Sequence, residues 1–192
     1  MSWIDRIRDR IYGFDTRSPE PAKRPSPEAA PVPAMPSVFP ERVLFVCSGN
    51  MCRSAYGEYR FKALISSSHP QTRVISAGTL RITGQPAAAG MIAAAAERGL
   101  DLSPHRSNAL SGVLVQSADT IFAMEQAHRD AILRIDPLAG SKIVILGLYL
   151  NTPAPEIEDP IGREPEVYCR VAAQIDEALG NWISRCEARL TA

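Results

Sequence analysis

Four short apolar runs, each followed by a segment of helical character, constrain the fold of this chain more than any other feature. The runs span residues 43–46, 73–77, 120–124 and 142–146. Each has the length of an ordinary strand and is mostly apolar, which is typical of a strand buried on both faces. Strands of this kind separated by helices predict an α/β domain with parallel pairing and helices on both faces of the sheet.

The segments between the runs carry helix signals. One helix is predicted to start near Ser54, and an alanine-rich helix is predicted from Pro86 to about Gly99. A third follows the run at 120–124, and the last is predicted over residues 164–185. In such sheets, ligands bind at the carboxyl ends of the strands, so the loop after the first run is the first place to look for a site.

The first forty residues have a different character. Apolar residues recur there at helical spacing between charged ones, which predicts an amphipathic helix over residues 1–14. Residues 15–40 are rich in proline, which disrupts helices and sheet ladders and favours extended, solvated chain. We therefore predict a helix over 1–14, a disordered linker over 15–40 and one domain over 41–192.

Composition excludes some classes of function. Twenty-one basic residues balance twenty-one acidic ones, so the chain has no basic excess that would indicate nucleic-acid binding. Neither a secretory signal nor a bilayer-spanning run is evident, and we expect a cytoplasmic protein whose thiols stay reduced. In that compartment an unusual cysteine is more often catalytic than part of a structural disulfide. The cysteines are Cys47, Cys52, Cys169 and Cys186.

The loop after the first apolar run has the composition of a phosphate-binding site. A loop that enters a helix aims backbone N–H groups and the positive helix end at one point. Gly49 allows a tight curl, and Asn50 is one of the few other residues that tolerate a left-handed conformation. The result is a cup that fits a phosphate dianion. The predicted phosphate-binding residues are Ser48, Gly49, Asn50, Met51, Cys52 and Ser54.

We expect Cys47 at the bottom of this cup and Arg53 at the other end of the loop. The donors of the loop can stabilise a Cys47 thiolate, and the planar fork of Arg53 can bind two phosphate oxygens. Ser54 can donate a hydrogen bond toward the sulfur. Alternatively, Cys47 is a small buried apolar residue and Arg53 a solvated residue at a helix start. A cysteine followed by an arginine at this spacing also occurs by chance and is weak evidence alone. The strand before the loop, the helix after it, and the glycine and asparagine within it favour the catalytic interpretation.

The segment V-L-F-V-C-S-G-N-M-C-R-S, from Val43 to Ser54, resembles the signature loop of the low-molecular-weight protein tyrosine phosphatases. Further segments are similar to that family over residues 42 to 185. They are Ser76-Ala77-Gly78-Thr79, Gly84-Gln85-Pro86, Gly99-Leu100-Asp101-Leu102-Ser103, His105-Arg106-Ser107 and Asp159-Pro160.

The resemblance implies a flavodoxin-like fold with four parallel strands and a metal-independent phosphatase without cofactor. It implies that Cys47 attacks phosphorus, that Arg53 and the loop amides hold the phosphate oxygens, and that Asp159 protonates the leaving phenolate and then activates water.

The resemblance also implies a hydrogen-bond network beneath the loop that contains Asn50, Ser54, Ser76 and His105. From the sequence without the resemblance, His105 reads as a surface histidine. Implied substrates are phosphotyrosine proteins and aryl phosphates, with a tyrosine kinase as one such protein.

The loop over residues 156–162, which we call the acid loop, offers three candidates for the general acid. Glu156, Glu158 and Asp159 crowd it, and the residues alone do not choose among them; only the resemblance selects Asp159. The chain also departs from the family at Ala55, where proline is usual, and at Ile161 and Gly162, where aromatic residues often flank the phosphotyrosine ring. Loss of that aromatic contact weakens the expected preference for phosphotyrosine.

Several alternatives remain open at this point. Cys52 is either a packed thiol or a partner that protects an oxidised Cys47 as a disulfide. An arsenate reductase would need further cysteines, and Cys169 and Cys186 do not resemble its pattern. A non-catalytic phosphate-binding module and a zinc site are weaker, since zinc-type ligand spacing is missing from the sequence. We expect the helix over 1–14 to dock on a protein partner, with a membrane surface as the alternative.

Overall fold

A computed structural model describes residues 35–152, 154 and 156–191. The helix predicted over 1–14 and most of the linker predicted over 15–40 lie outside these residues, so both stay predictions. Within the described ranges, none of the helices has the length and apolar character needed to cross a membrane.

The sheet contains the four predicted strands, and every pair is parallel. Strand β1 spans Arg42–Cys47, β2 Arg73–Gly78, β3 Thr120–Ala123 and β4 Ile143–Ile145, in the spatial order β2-β1-β3-β4. Phe45 lies opposite Ser76 on one side and Phe122 on the other. Because all strands run in one direction, the carboxyl ends of β1, β2 and β3 meet at one edge, as the prediction of a ligand site there requires.

Helices cover both faces of the sheet, which confirms the predicted α/β architecture. The helices are α1 Arg53–Ile65, α2 Ala89–Ala96, α3 Gly112–Ser117, α4 Gln126–Ile135 and α5 Pro165–Leu190, with 3-10 turns at Pro137–Lys142 and Leu146–Tyr149. Alternate residues of β1 point to opposite faces: Phe45 joins one apolar cluster with α1, α2 and α5, and Leu44 joins another with α3 and α4. The uninterrupted apolar run at residues 43–46 of β1 follows from this double burial.

Aromatic side chains fill the larger cluster and fix α5 against the sheet. Trp182 on α5 is fully buried and meets Phe122 edge-on at 5.0 Å between ring centroids. Phe45 stacks on Phe122 at 4.8 Å, and Phe61 of α1 lies against both rings. Rings that bury this much apolar area dominate the stability of a core. They hold β1 and α1 in place, and the loop between these two elements therefore has a rigid base.

Three helices differ from the sequence prediction, and one of them, α5, ends at Leu190 rather than near residue 185. The alanine-rich helix begins at Ala89 rather than near Pro86, because Ala88 is extended and donates its backbone N–H to the carbonyl of Met51 at 2.9 Å. The short helix α3 was not predicted. Ser111 caps it by accepting a hydrogen bond from the N–H of Leu114, but six residues are too few to show a helical period.

The described end of the predicted linker contacts the domain. The ring of Phe39 stacks on His69 with centroids 3.5 Å apart and lies 6.1 Å from Trp182. Pro40 is buried, and Thr72 donates a hydrogen bond to its carbonyl at 3.0 Å. The packed part of the domain thus includes residues 39 and 40, just before the start predicted at residue 41.

Candidate active site

The loop from Cys47 to Ser54 joins β1 to α1 at the carboxyl edge of the sheet. Asn50 takes the left-handed conformation that the sequence predicts, with φ of 54°. The segment after β2 provides donors for two loop carbonyls. The backbone N–H of Thr79 donates to the carbonyl of Cys47 at 3.0 Å, and that of Leu80 donates to the carbonyl of Ser48 at 3.0 Å. The loop is therefore tied to the segment after β2.

Gly78 at the end of β2 permits this close approach. A Cβ atom placed there would lie 2.7 Å from the carbonyl oxygen of Ser48 and 2.9 Å from backbone atoms of Gly49 and Asn50. All three neighbours are backbone atoms of the loop, which cannot rotate away. The requirement for glycine at position 78 is steric, and the loop shape depends on it.

The buried side chain of Asn50 is the centre of a hydrogen-bond network beneath the loop. Its amide nitrogen donates to Ser54 Oγ at 2.9 Å and to Ser76 Oγ at 2.7 Å. Its amide oxygen accepts the backbone N–H of Asn108 at 2.7 Å. The backbone carbonyl of Asn50 accepts a hydrogen bond from His105 Nε2 at 2.7 Å. The left-handed residue is locked from four sides, and His105 is buried in the network rather than exposed on the surface.

Two members of this network were not predicted from the sequence. Glu58 on α1 accepts a hydrogen bond from Ser76 Oγ at 2.6 Å and pairs with Lys62 at 2.5 Å. Asn108 contributes only its backbone N–H. An i,i+4 pair of Glu58 and Lys62 looks like a solvated helix surface, so the sequence carries no signal that Glu58 reaches inward.

Cys47 has 2% of its surface exposed, and its Sγ is 2.9 Å from Ser54 Oγ. Asn50 Nδ2 donates to the same Ser54 oxygen. An amide nitrogen can only donate, so the Ser54 hydroxyl accepts from Asn50 and its own proton is free to point at the sulfur. The sulfur of Cys47 is thus placed to accept a hydrogen bond from Ser54, as expected of a nucleophile.

Arg53 is 1% exposed, and its guanidinium is held from several directions. Nη1 contacts the Glu125 carboxylate and donates to the carbonyl of Ile157 at 2.9 Å. Nη2 donates to Asp159 Oδ2 at 2.5 Å and to Ser48 Oγ at 3.4 Å. Burial lowers the pKa of Arg53, but the negative charges of Asp159, Cys47 and Glu125 outweigh it and raise the pKa. The guanidinium is therefore charged at every working pH.

One donor of Arg53 lacks an acceptor within the part of the chain that the structure describes. Its Nε is buried and has no hydrogen-bond partner among the residues that the structure describes. A buried N–H of a charged group without an acceptor is costly. A phosphate oxygen in the cup would provide one, so the orphaned Nε fits an oxyanion site.

The structure separates the three acids of the loop at 156–159. Asp159 contacts Arg53, and its Oδ1 accepts the backbone N–H of Ile161 at 3.2 Å. Glu158 turns away to Arg170 at 2.8 Å, and that hydrogen bond lowers the pKa of Glu158. Glu156 is exposed. Of these acids, Asp159 is the one placed beside the predicted phosphate site.

Glu125 and His128 also lie at the site, and the sequence analysis missed both. They follow β3, whose carboxyl end adjoins that of β1. Glu125 pairs with Arg53, and His128 Nε2 is 3.0 Å from Ser48 Oγ. Burial and the nearby positive charge of Arg53 lower the pKa of His128 to about 3. The rule that pointed to the end of β1 applies equally to the end of β3 and could have identified them.

Tyr168 is the aromatic residue that contacts the acid loop. Its hydroxyl accepts the backbone N–H of Gly162 at 3.1 Å, and burial raises its pKa. Tyr149 is buried away from the loop and contacts α5 through Asn181, which donates to its carbonyl at 2.8 Å. The partly exposed residue after Asp159-Pro160 is Ile161, which is aliphatic.

Each cysteine of the chain is a free thiol. Cys52 is 4% exposed, and burial raises its pKa well above the ordinary value. Its predicted redox role stays a prediction. Among the described residues, no group of three or more His, Cys, Asp and Glu side chains could hold a metal ion.

Comparison with known proteins identifies the family. Residues 42–191 match the family model for low molecular weight phosphotyrosine protein phosphatase. A probable low molecular weight protein-tyrosine-phosphatase, EpsP of Ralstonia nicotianae, is 32% identical over 76% of this chain and 96% of its own. The structure of Vibrio vulnificus Wzb in complex with benzylphosphonate is 32% identical with a TM-score of 0.70, over 77% of this chain and 99% of that one.

A third similar structure is the YwlE arginine phosphatase from Geobacillus stearothermophilus. It is 27% identical with a TM-score of 0.70 and covers 78% of this chain and 94% of that one. The family match extends over most of the chain and contains the whole loop from Cys47 to Ser54 together with the acid loop. This chain belongs to the low molecular weight phosphotyrosine protein phosphatase family.

Proposed function

We propose that Cys47, Arg53 and Asp159 carry out the chemistry of this chain, as nucleophile, phosphate-binding cation and general acid. As a member of its family the chain is a cysteine-dependent protein-tyrosine phosphatase, a phosphoric monoester hydrolase. The observation that carries the residue assignment is the buried cup itself. It combines a thiol facing the Ser54 hydroxyl with a guanidinium whose Nε has no acceptor among the described residues.

In the first step, the Cys47 thiolate attacks phosphorus. An S–P bond forms as the P–O bond to the phenol breaks, and Asp159 gives its proton to the leaving phenolate oxygen. Arg53 and the loop amides stabilise charge on the three equatorial oxygens, which is the main catalytic demand of phosphoryl transfer. In the second step, water attacks the phosphocysteine. Asp159 takes the proton from that water, the S–P bond breaks, and phosphate leaves with the thiolate restored.

The contact between Arg53 and Asp159 suggests how substrate binding prepares the acid. Without substrate, the Asp159 carboxylate accepts a hydrogen bond from Nη2 of Arg53. A phosphate dianion is a stronger bidentate partner for this fork. We infer that the dianion displaces Asp159 from Nη2, which frees the carboxyl group to carry a proton next to the leaving oxygen. Glu125 stays on Nη1 and keeps the guanidinium oriented.

The substrates proposed for the site are phosphotyrosine proteins, with a tyrosine kinase as one such protein, together with aryl phosphates. Phosphoarginine is a second candidate. Ile161 gives an aliphatic rather than an aromatic contact beside the acid loop, and one similar solved structure is an arginine phosphatase. Comparison of kcat/KM for matched phosphotyrosine and phosphoarginine peptides decides between them. Higher kcat/KM on the phosphotyrosine peptide supports the first, and the reverse order supports the second.

The first test of the catalytic residues is hydrolysis of para-nitrophenyl phosphate without added metal. We expect turnover by the reduced wild type, none by Cys47→Ser, and normal turnover by Cys186→Ser, a matched control at a buried cysteine of α5. Activity that survives in Cys47→Ser would refute the assignment of the nucleophile.

The remaining proposals concern the N-terminal region and the cellular location. We propose that residues 1–14 dock on a protein partner, with a membrane surface as the alternative, and that the protein is cytoplasmic. Deletion of residues 1–34 keeps Phe39 in place and should leave kcat/KM for para-nitrophenyl phosphate unchanged. A large loss of activity would mean that the extension belongs to the catalytic unit.

A further inference from the structure

His128 has contacts that the proposed mechanism does not use. It lies in the first turn of α4 with 2% of its surface exposed. Its Nε2 is 3.0 Å from Ser48 Oγ, and the same Ser48 oxygen is 3.4 Å from Nη2 of Arg53. The Ser48 hydroxyl is therefore placed between an imidazole and the guanidinium that binds phosphate.

The protonation state of His128 follows from its surroundings. Burial and the charge of Arg53 lower its pKa to about 3, so the ring is neutral at neutral pH and only one nitrogen bears hydrogen. Nδ1 is buried and has no hydrogen-bond partner among the described residues. An orphaned buried N–H is rarer than an orphaned acceptor. We assign the hydrogen to Nε2, from which it is donated to Ser48 Oγ.

This assignment fixes the direction of the Ser48 hydroxyl. A guanidinium can only donate, so Ser48 Oγ accepts from both Arg53 and His128. Both acceptor positions of the oxygen are then occupied, and its own proton is left for a third group. Asp159 contacts the same Nη2 of Arg53, so the Ser48 hydroxyl and the proposed general acid share one guanidinium nitrogen.

We propose that His128 is a positioning residue that orients the Ser48 hydroxyl to donate to an oxygen of the bound phosphoryl group. The inference rests on the proposed function of the cup as a phosphate site. His128 acts through Ser48 and does not itself touch the substrate. A hydroxyl that donates to a phosphate oxygen is a charge-assisted hydrogen bond, and its orientation before substrate arrives avoids a reorganisation cost during the reaction.

The test is a double-mutant cycle with Ser48→Ala and His128→Leu. The readouts are kcat/KM for para-nitrophenyl phosphate and the inhibition constant of inorganic phosphate. Loss of one hydrogen bond to a charged group predicts that kcat/KM falls about ten- to a hundred-fold in either single variant. Phosphate inhibition should weaken in both. The double variant should be no worse than either single one, since both remove the same interaction.

Conservative and remote variants separate positioning from packing. His128→Gln places an amide donor near the position of Nε2 and should recover most of the activity lost in His128→Leu. His69→Gln changes a histidine stacked on Phe39 at the opposite edge of the sheet and should match the wild type. Losses that multiply in the double variant, or a Gln variant no better than Leu, would overturn the proposal.

Two further outcomes are decisive. If thermal unfolding shows that His128→Leu is unstable, the test rests on Ser48→Ala alone. An unchanged kcat/KM with unchanged phosphate inhibition would overturn the proposal, whereas a lower kcat/KM with weaker phosphate inhibition would support it. Failure of the proposed function looks different, because it appears as undiminished turnover in Cys47→Ser. The phosphate inhibition constants in the cycle report on the Ser48 contact whichever residue is the nucleophile.

Discussion

Gly78→Ala is the substitution that most sharply tests how the fold shapes the catalytic loop. The added Cβ would stand 2.7 Å from Ser48 O, 2.9 Å from Gly49 C and 2.9 Å from Asn50 N. Real Cβ atoms do not approach other atoms this closely, so the loop backbone or the end of β2 has to move. The strand pairing of Gly78 with Cys47 prevents β2 from yielding freely. We expect the loop to be displaced.

The expected losses of stability and of activity in Gly78→Ala follow from two costs. Overpacking of one carbon into a well-packed site typically costs about 1–3 kcal/mol of unfolding free energy. Displacement of catalytic groups by about 1 Å costs on the order of a hundred-fold in rate, because the reacting atoms lose alignment. We therefore expect Gly78→Ala to fold with reduced stability and to lose about a hundred-fold in kcat/KM for para-nitrophenyl phosphate.

Two controls separate activity from stability. Ile175→Val on α5 trims a fully buried side chain and should cost about 0.5–1.5 kcal/mol of stability while kcat/KM is retained. Gly180→Ala adds a Cβ that meets no other described segment within 4 Å and should be neutral or slightly stabilising. Chemical denaturation gives the free energies, and initial rates give kcat/KM. A Gly78→Ala protein with wild-type kcat/KM would refute the reasoning, because the loop would then tolerate the contact.

Three further predictions follow from the site and its support. Asp159→Asn should lower kcat about a hundred- to ten-thousand-fold on aryl phosphates with poor leaving groups, measured across a series of phenols, and an equal rate would remove Asp159 from the acid role. At neutral pH, burial and the raised pKa of Cys52 keep it a protonated thiol, so peptide mapping after iodoacetamide treatment should find Cys47 alkylated first; faster labelling of Cys52 would contradict this order. Tyr56→Phe removes a hydrogen bond of 2.7 Å to Asp176 and should cost about 1 kcal/mol in thermal unfolding, and an unchanged melting temperature would contradict it.

The sheet and the phosphate loop were predictable because local sequence and fold agree there. The run before Cys47 is apolar throughout because β1 is buried on both faces. Asn50 adopts the left-handed conformation expected of it. The end of the first strand was identified as the site because parallel strands collect ligands at their carboxyl ends.

Residues brought to the site from distant segments were harder to predict. Glu125 and His128 look like ordinary polar residues at a helix start, and only the pairing of β3 with β1 brings them to Arg53 and Ser48. The choice of Asp159 over Glu158 also depends on tertiary contacts, since Glu158 turns to Arg170. The sequence does not decide between Asp159 and Glu158, because the direction of a side chain within a loop is set by its neighbours in space.

The most direct test of the central claim is to identify the residue that is phosphorylated during turnover. Wild-type enzyme mixed with a phosphotyrosine peptide is quenched with acid within the first turnovers, digested and examined by mass spectrometry with fragmentation of the loop peptide. The mechanism predicts one phosphoryl group on Cys47, absent from Cys52 and absent when the substrate has been consumed. Phosphate attached to another residue, or turnover in which no phosphoenzyme forms, would contradict Cys47 as the nucleophile.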